Sequence, residues 1–193
     1  MHNIISNLEH IKKKLVNHQK AKIIAVSKTF AAENIVPLLD NGHRDFGENK
    51  VQEALQKWPS LKEKYKNINL HMIGRLQTNK VKYLFPLFDY VHSLDSLKLA
   101  EKISKEELKN NKKLKIFIQV NLGNEDQKNG ISTFELNNLY EESVNKFNLN
   151  IIGLMCIPPK EGSASDYFNE LKNYNKKLNL SELSMGMSKD YLD

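Results

Sequence analysis

The sequence predicts an α/β chain built on one parallel sheet, a (β/α)8 TIM-type barrel of which seven strands are visible and the last is lacking. Three observations carry this expectation. Short apolar runs alternate with patterns of helical spacing along the whole chain. Polar or glycine-containing loops follow nearly every run, and a barrel collects its chemistry at those C-terminal strand ends. No Gly-x-Gly-x-x-Gly follows the first run, which weighs against the doubly wound dinucleotide fold that right-handed crossovers would equally allow.

The chain opens on Ile4, Leu8, Ile11 and Leu15 at helical spacing, with Lys12, Lys13 and Lys14 outside. That reads as an amphipathic helix within residues 1–20, not a secretion signal, which needs an apolar core segment. Residues 23–26 read as a buried parallel strand running into Ser27 and Lys28. A helix follows near 32–41, with Ile35, Val36, Leu38 and Leu39 apolar and Gly42 as its stop. A short strand around 44–46 leads into Gly47-Glu48-Asn49 and a helix through Val51, Ala54, Leu55 and Trp58. The third strand, 69–73, precedes Gly74-Arg75-Leu76-Gln77-Thr78-Asn79-Lys80 and a helical stretch near 81–85. The fourth, 90–92, precedes a helix over 96–110 with Ser96 as its N-cap. The fifth, 115–121, is followed by Lys128-Asn129-Gly130-Ile131 and a helix over 133–146. The sixth, 150–156, is closed by Pro158-Pro159 and followed by a helix over 164–178. The seventh, 182–185, leads to Gly186-Met187-Ser188.

A chain of 193 residues, 40% hydrophobic and 27% charged, fits a single soluble domain. No apolar run approaches the ~20 residues that span a bilayer, so a cytoplasmic location and no membrane contact are expected. The net charge is +6, yet Arg44 and Arg75 are the only arginines and the lysines are spread over many helical segments. A nucleic-acid footprint would cluster, favour arginine forks and interleave aromatics, so none is expected. Cys156, the single cysteine, excludes an internal disulfide and reads as a small core residue. No His, Cys, Asp and Glu set has metal-site spacing, and no metal is expected. Glu106-Glu107 and Glu141-Glu142 read as solvent faces of helices.

Strand-end residues that could carry chemistry include Lys28, Glu48, Asn49, His71, Gln77, Asn79, His92, Asp95, Asn121, Ser184 and Ser188. A lysine at the end of a barrel strand can form an imine with a carbonyl cofactor, against the plainer reading of a solvated side chain. His71 and His92 each have the plainer reading of core or rim histidines bonded to backbone.

Eight ordered blocks span nearly the whole chain: Ala-Val-Ser-Lys (25–28), Phe-Gly-Glu-Asn (46–49), His-Met-Ile-Gly-Arg-Leu-Gln-Thr-Asn-Lys (71–80), Val-His-Ser-Leu-Asp (91–95), Gln-Val-Asn (119–121), Lys-x-Gly-Ile (128–131), Gly-Leu-Met (153–155) and Leu-Ser-Met-Gly-Met-Ser-x-Asp (183–190). Together they closely resemble the pyridoxal-phosphate homeostasis proteins, the YggS/PROSC family. The resemblance implies a barrel like the N-terminal domain of alanine racemase, with pyridoxal 5′-phosphate (PLP) held as a Schiff base on Lys28. It implies Asn49 by the cofactor's phenolic oxygen, Ser188 at its phosphate and His71 within the site. It implies no catalytic residue. The role implied is non-catalytic, in PLP supply and amino-acid balance, with PLP-dependent apoenzymes as possible recipients. Relatives continue past the position of Asp193 into a helix and a last strand resembling Val-Arg-Ile-Gly-Thr-Ala-Ile-Phe-Gly. Residues 1–193 are therefore expected to form one PLP-binding barrel domain, C-terminally truncated relative to the family, as a monomer or weak homodimer that retains PLP less firmly. Three rivals remain. A PLP-dependent amino-acid racemase needs an acid/base on each face of the substrate, the second from another domain. A lysine-imine aldolase carries its lysine on a late strand. A degenerate remnant would fold without binding PLP.

Overall fold

The computed structural model describes residues 4–16, 21–123 and 129–192. Seven strands form one sheet in sequence order: β1 Ala25–Val26, β2 Asp45–Glu48, β3 Asn69–Met72, β4 Tyr90–Leu94, β5 Lys115–Gln119, β6 Asn150–Met155 and β7 Glu182–Ser184. Every pairing is parallel. Helices α1 Ile4–Lys14, α2 Ala32–Asp40, α3 Val51–Lys64, α4 Leu97–Asn110, α5 Leu136–Glu141 and α6 Ala164–Lys177 supply the outer layer.

The sheet is strongly curled. On a flat sheet β4 and β7 would lie roughly 14 Å apart, three strand spacings. Yet His92 of β4 and Ser184 of β7 share a hydrogen bond of 2.7 Å. The strands therefore wrap around a common interior, an open barrel whose edges among the described residues are β1 and β7. The apolar core divides accordingly. The larger part lies between the sheet and the helices, where Phe46 packs on Trp58 with ring centroids 5.0 Å apart. A smaller cluster of Tyr90, Phe117, Met155 and Ile152 fills the interior.

Element order follows the sequence expectation, with local differences. Parts of the N-terminal helix expectation (1–3, 17–20), and Lys128, lie outside the described residues. β1 holds only two ladder residues and Val26 is exposed, because an edge strand has cover on one side alone. β2 runs on through Glu48, so Gly47 and Glu48 belong to the ladder rather than to the loop. The stretch near 81–85 is a 3₁₀ helix, Thr78–Tyr83, and the 133–146 helix is α5 continued by a π-helical turn, Glu142–Lys146. Ser96 does sit at the N-cap of α4, but its hydroxyl makes no cap bond and interacts instead with Asp95.

Glu106 and Glu107 are buried, not on a solvent face. Glu107 Oε1 accepts the Leu114 N–H at 2.8 Å and its Oε2 lies 2.7 Å from Lys113 Nζ, while Glu106 is held by Lys102 at 2.9 Å. The two acids continue the apolar stripe of Leu99 and Ile103 by one turn, to the helix end where the buried Leu114 N–H, just before β5, takes Glu107 as its acceptor. Among the described residues, four of the five non-glycine residues with positive φ are asparagines: Asn67, Asn111, Asn148 and Asn179. Asn111 closes α4 this way, the role glycine more often plays. No helix among the described residues is long and apolar enough to cross a membrane.

Candidate functional site

Side chains of a strand alternate between its two faces. Register pairs Val26 with Gly47 and Gly47 with His71, so these positions share the interior face. Asp45 and Asn49 fall on it with Gly47, two residues either side. Phe46 and Glu48 face the helices.

A hydrogen-bonded chain crosses this interior. His71 Nε2 lies 3.2 Å from Asp45 Oδ1, His71 Nδ1 lies 2.9 Å from His92 Nε2, and His92 Nδ1 lies 2.7 Å from Ser184 Oγ. Asn69 Nδ2 donates to the same Asp45 oxygen at 3.0 Å. Tyr90 stacks on His71 and Phe117 on His92, with centroids 4.2 and 4.4 Å apart. Burial, reinforced by His71, pushes the His92 imidazole down to about 3, so it is neutral at ordinary pH. Burial works to raise the Asp45 carboxyl, but hydrogen bonds from His71 and Asn69 outweigh it and hold it below its usual range. A carboxylate only accepts, so the His71 Nε2–H donates to Asp45, and the neutral His92 donates through one ring nitrogen and accepts through the other, linking His71 to Ser184. The histidines are thus bonded to side chains rather than to backbone, contrary to the sequence expectation. Both nitrogens of His71 are engaged.

Lys28 lies two residues beyond the β1 ladder, on the alternation of Ile24 and Val26. It is exposed, and its amine has no partner among the described residues. Its turn is held firmly. Ser27 N–H bonds Gly47 O at 3.0 Å, and Ser27 Oγ donates to Glu48 Oε1 at 2.7 Å. Lys57 Nζ donates to Ser27 O at 2.7 Å and to Phe30 O at 3.0 Å. The buried Glu48 also accepts from Trp58 Nε1 at 2.9 Å and pairs with Lys57 at 2.7 Å.

Asn49 follows the β2 ladder just before α3. Its Oδ1 is buried and has no hydrogen-bond partner among the described residues. Such an orphan acceptor suits a ligand hydroxyl or N–H. Gly74 makes this placement possible, since a Cβ there would sit 2.4 Å from Asn49 O. Ser188 is exposed in the turn after Gly186, whose φ is +85°. The Ser188 N–H has no acceptor among the described residues, which suits an anion. The Met187 N–H is already taken by the Asp190 carboxylate.

Lys28, Asn49 and Ser188 all lie just past C-terminal strand ends, while His71 lies deeper inside. The sequence reading missed Asp45, although its period-two spacing to Gly47 and Asn49 was visible. It also missed Glu53 and Lys57, which stand four residues apart on α3. Among the described residues no three His, Cys, Asp or Glu are grouped to hold a metal ion.

The family model described as alanine racemase, N-terminal domain, matches residues 1–193. A pyridoxal phosphate homeostasis protein of Aquifex aeolicus is 40% identical over 180 residues, covering 89% of this chain and 78% of that protein. One from Synechocystis is 39% identical, covering 88% of this chain and 82% of that protein. Among solved structures, PipY of Synechococcus elongatus with PLP bound superposes with a TM-score of 0.82 at 30% identity, over 94% of this chain and 91% of that one. Alanine racemase of Clostridium difficile, 17% identical with a TM-score of 0.68, covers 92% of this chain and 46% of its own and shares the fold. With the eight motifs in place on an open parallel barrel, the chain belongs to the pyridoxal phosphate homeostasis protein family.

Proposed function

We propose that this protein binds PLP as a Schiff base on Lys28 and serves PLP homeostasis without catalysing a reaction of its own. The observation that carries the reading is an exposed lysine, without a partner among the described residues, on a tightly held turn at the end of β1, with the orphaned buried oxygen of Asn49 at the end of the neighbouring strand β2. When bound, PLP supplies an electrophilic aldehyde and an electron sink. The chain's own residues position it: Lys28 is its covalent anchor, Asn49 Oδ1 accepts a hydrogen bond from it, and Ser188 with its N–H faces the phosphate. His71, with no nitrogen free, acts from beneath through His92 and Ser184. The names of the relatives and the PLP-bound PipY structure support this assignment. Handing PLP to apoenzymes in the cytoplasm is the physiological role that fits such a reversible anchor.

The test is PLP addition to the wild type and to Lys28→Ala. The wild type should turn yellow, lose the colour to hydroxylamine, and after borohydride reduction carry the label on Lys28 by peptide mapping. Equal colour and labelling in the two proteins would refute the anchor. D-alanine formed from L-alanine in the same preparation would overturn the non-catalytic reading.

A further inference from the structure

We propose that Lys57 is a positioning residue for Lys28, acting with Glu48 and Glu53 to lock the 27–30 turn so that the amine is preset for the aldehyde. The inference rests on the reading of Lys28 as the anchor. Its starting point is Thr29, whose φ is +66°. The other four non-glycine residues in that region among the described residues are asparagines, which tolerate it; a β-branched residue does not. A conformation of this kind persists only where its surroundings hold it.

Those surroundings are explicit. The Thr29 N–H donates to Glu53 Oε1 at 2.5 Å. The carbonyls on either side, Ser27 O and Phe30 O, both accept from Lys57 Nζ. The third Lys57 proton faces Glu48 Oε1, which also takes the Ser27 hydroxyl. An ammonium has three protons, and all are engaged around this turn. Lys57 is buried to 8% exposure. A buried ion pair is a poor device for stability, since apolar residues of similar volume often serve as well. What an apolar side chain cannot do is grip two carbonyls that bracket Lys28. Lys57 touches the turn's backbone, not the cofactor, and its own amine is unavailable to an aldehyde.

The test compares wild type, Lys57→Met and the conservative Lys57→Arg. Without PLP, amide hydrogen exchange at Thr29 and Phe30 should be about tenfold faster or more in Lys57→Met, with β3–β5 amides unchanged, as expected for a local opening. PLP should bind about tenfold more weakly or worse, because the turn must then be ordered on binding. Borohydride should still label Lys28, and Lys57→Arg should recover part of both losses. Should Lys57→Met fail to fold, the charge-neutral pair Glu48→Gln/Lys57→Met takes its place with the same expectations. Wild-type exchange at Thr29 together with wild-type PLP affinity in the variant overturns the proposal. A wild type in which Lys28 is never labelled overturns the anchor reading itself, and the role of Lys57 with it; the two failures are told apart by that label.

Discussion

Replacing Gly74 by alanine probes the site through its backbone. The new Cβ would lie 2.4 Å from Asn49 O and 2.7 Å from both Asn49 Cα and Cβ. Ordinary contact between such atoms is about 3.5 Å, so one partner must move by about 1 Å. The obstacle is main chain and cannot rotate aside. The φ of Gly74 lies outside the left-handed region, so the penalty is contact alone. Moving Gly74 strains the neighbouring bond from Ile73 N–H to Glu48 O, now 2.9 Å; moving Asn49 displaces the orphan acceptor and the start of α3. Overpacking of this kind costs about 1–3 kcal/mol. Chemical denaturation should register that loss, and PLP titration followed by the imine colour should weaken about tenfold or more, since misplacement by ~1 Å is severe at a reacting centre. Asn49→Ala is the contrasting variant. It removes a buried acceptor that has no partner, so it should weaken PLP binding while leaving folding stability unchanged or raised. Unchanged stability and binding in Gly74→Ala would refute the close approach. A loss above about 1 kcal/mol in Asn49→Ala would refute the orphan status of its oxygen.

Two further outcomes follow from burial. His92 is pushed down to about 3 in the folded state, so below its unfolded value near 6.5 only the unfolded chain gains a proton. Its contribution is complete above that value and is lost as pH falls toward 3, at up to about 1.4 kcal/mol per pH unit. His43, lowered mainly by burial, acts in the same direction, while Asp45 and Asp89, both held low, lose their contributions only in more acid solution. Urea midpoints should therefore fall between about pH 6.5 and 4, with a shallower slope in His92→Gln; an identical slope would remove His92 as the cause. For Cys156, burial pushes the thiol up to about 12 and leaves it 4% exposed. A disulfide reagent should react only as fast as the protein unfolds, and rapid labelling of native protein would contradict that burial.

The legible part of the site was the part local in sequence. Lys28, Asn49 and Ser188 follow short apolar runs, and the end of a strand is visible in the chain that leaves it. Glu48 was misplaced because a strand buried on both faces shows no alternation to say which face meets the helices. Glu106 and Glu107 were misplaced because helical spacing reports a stripe, not where the stripe ends against a neighbour.

By itself the sequence determined the order of strands and helices, the parallel sheet and the residues at the strand ends, all read from short windows that are either an apolar run or a pattern of period 3.6. Only the tertiary structure decided that Asp45, His71, His92 and Ser184 form one chain, and that Lys57 reaches back to the turn of Lys28. Those contacts depend on how tightly the sheet curls and on how α3 seats against β1 and β2. Both are set by packing summed over the whole molecule, and no local stretch of residues records them.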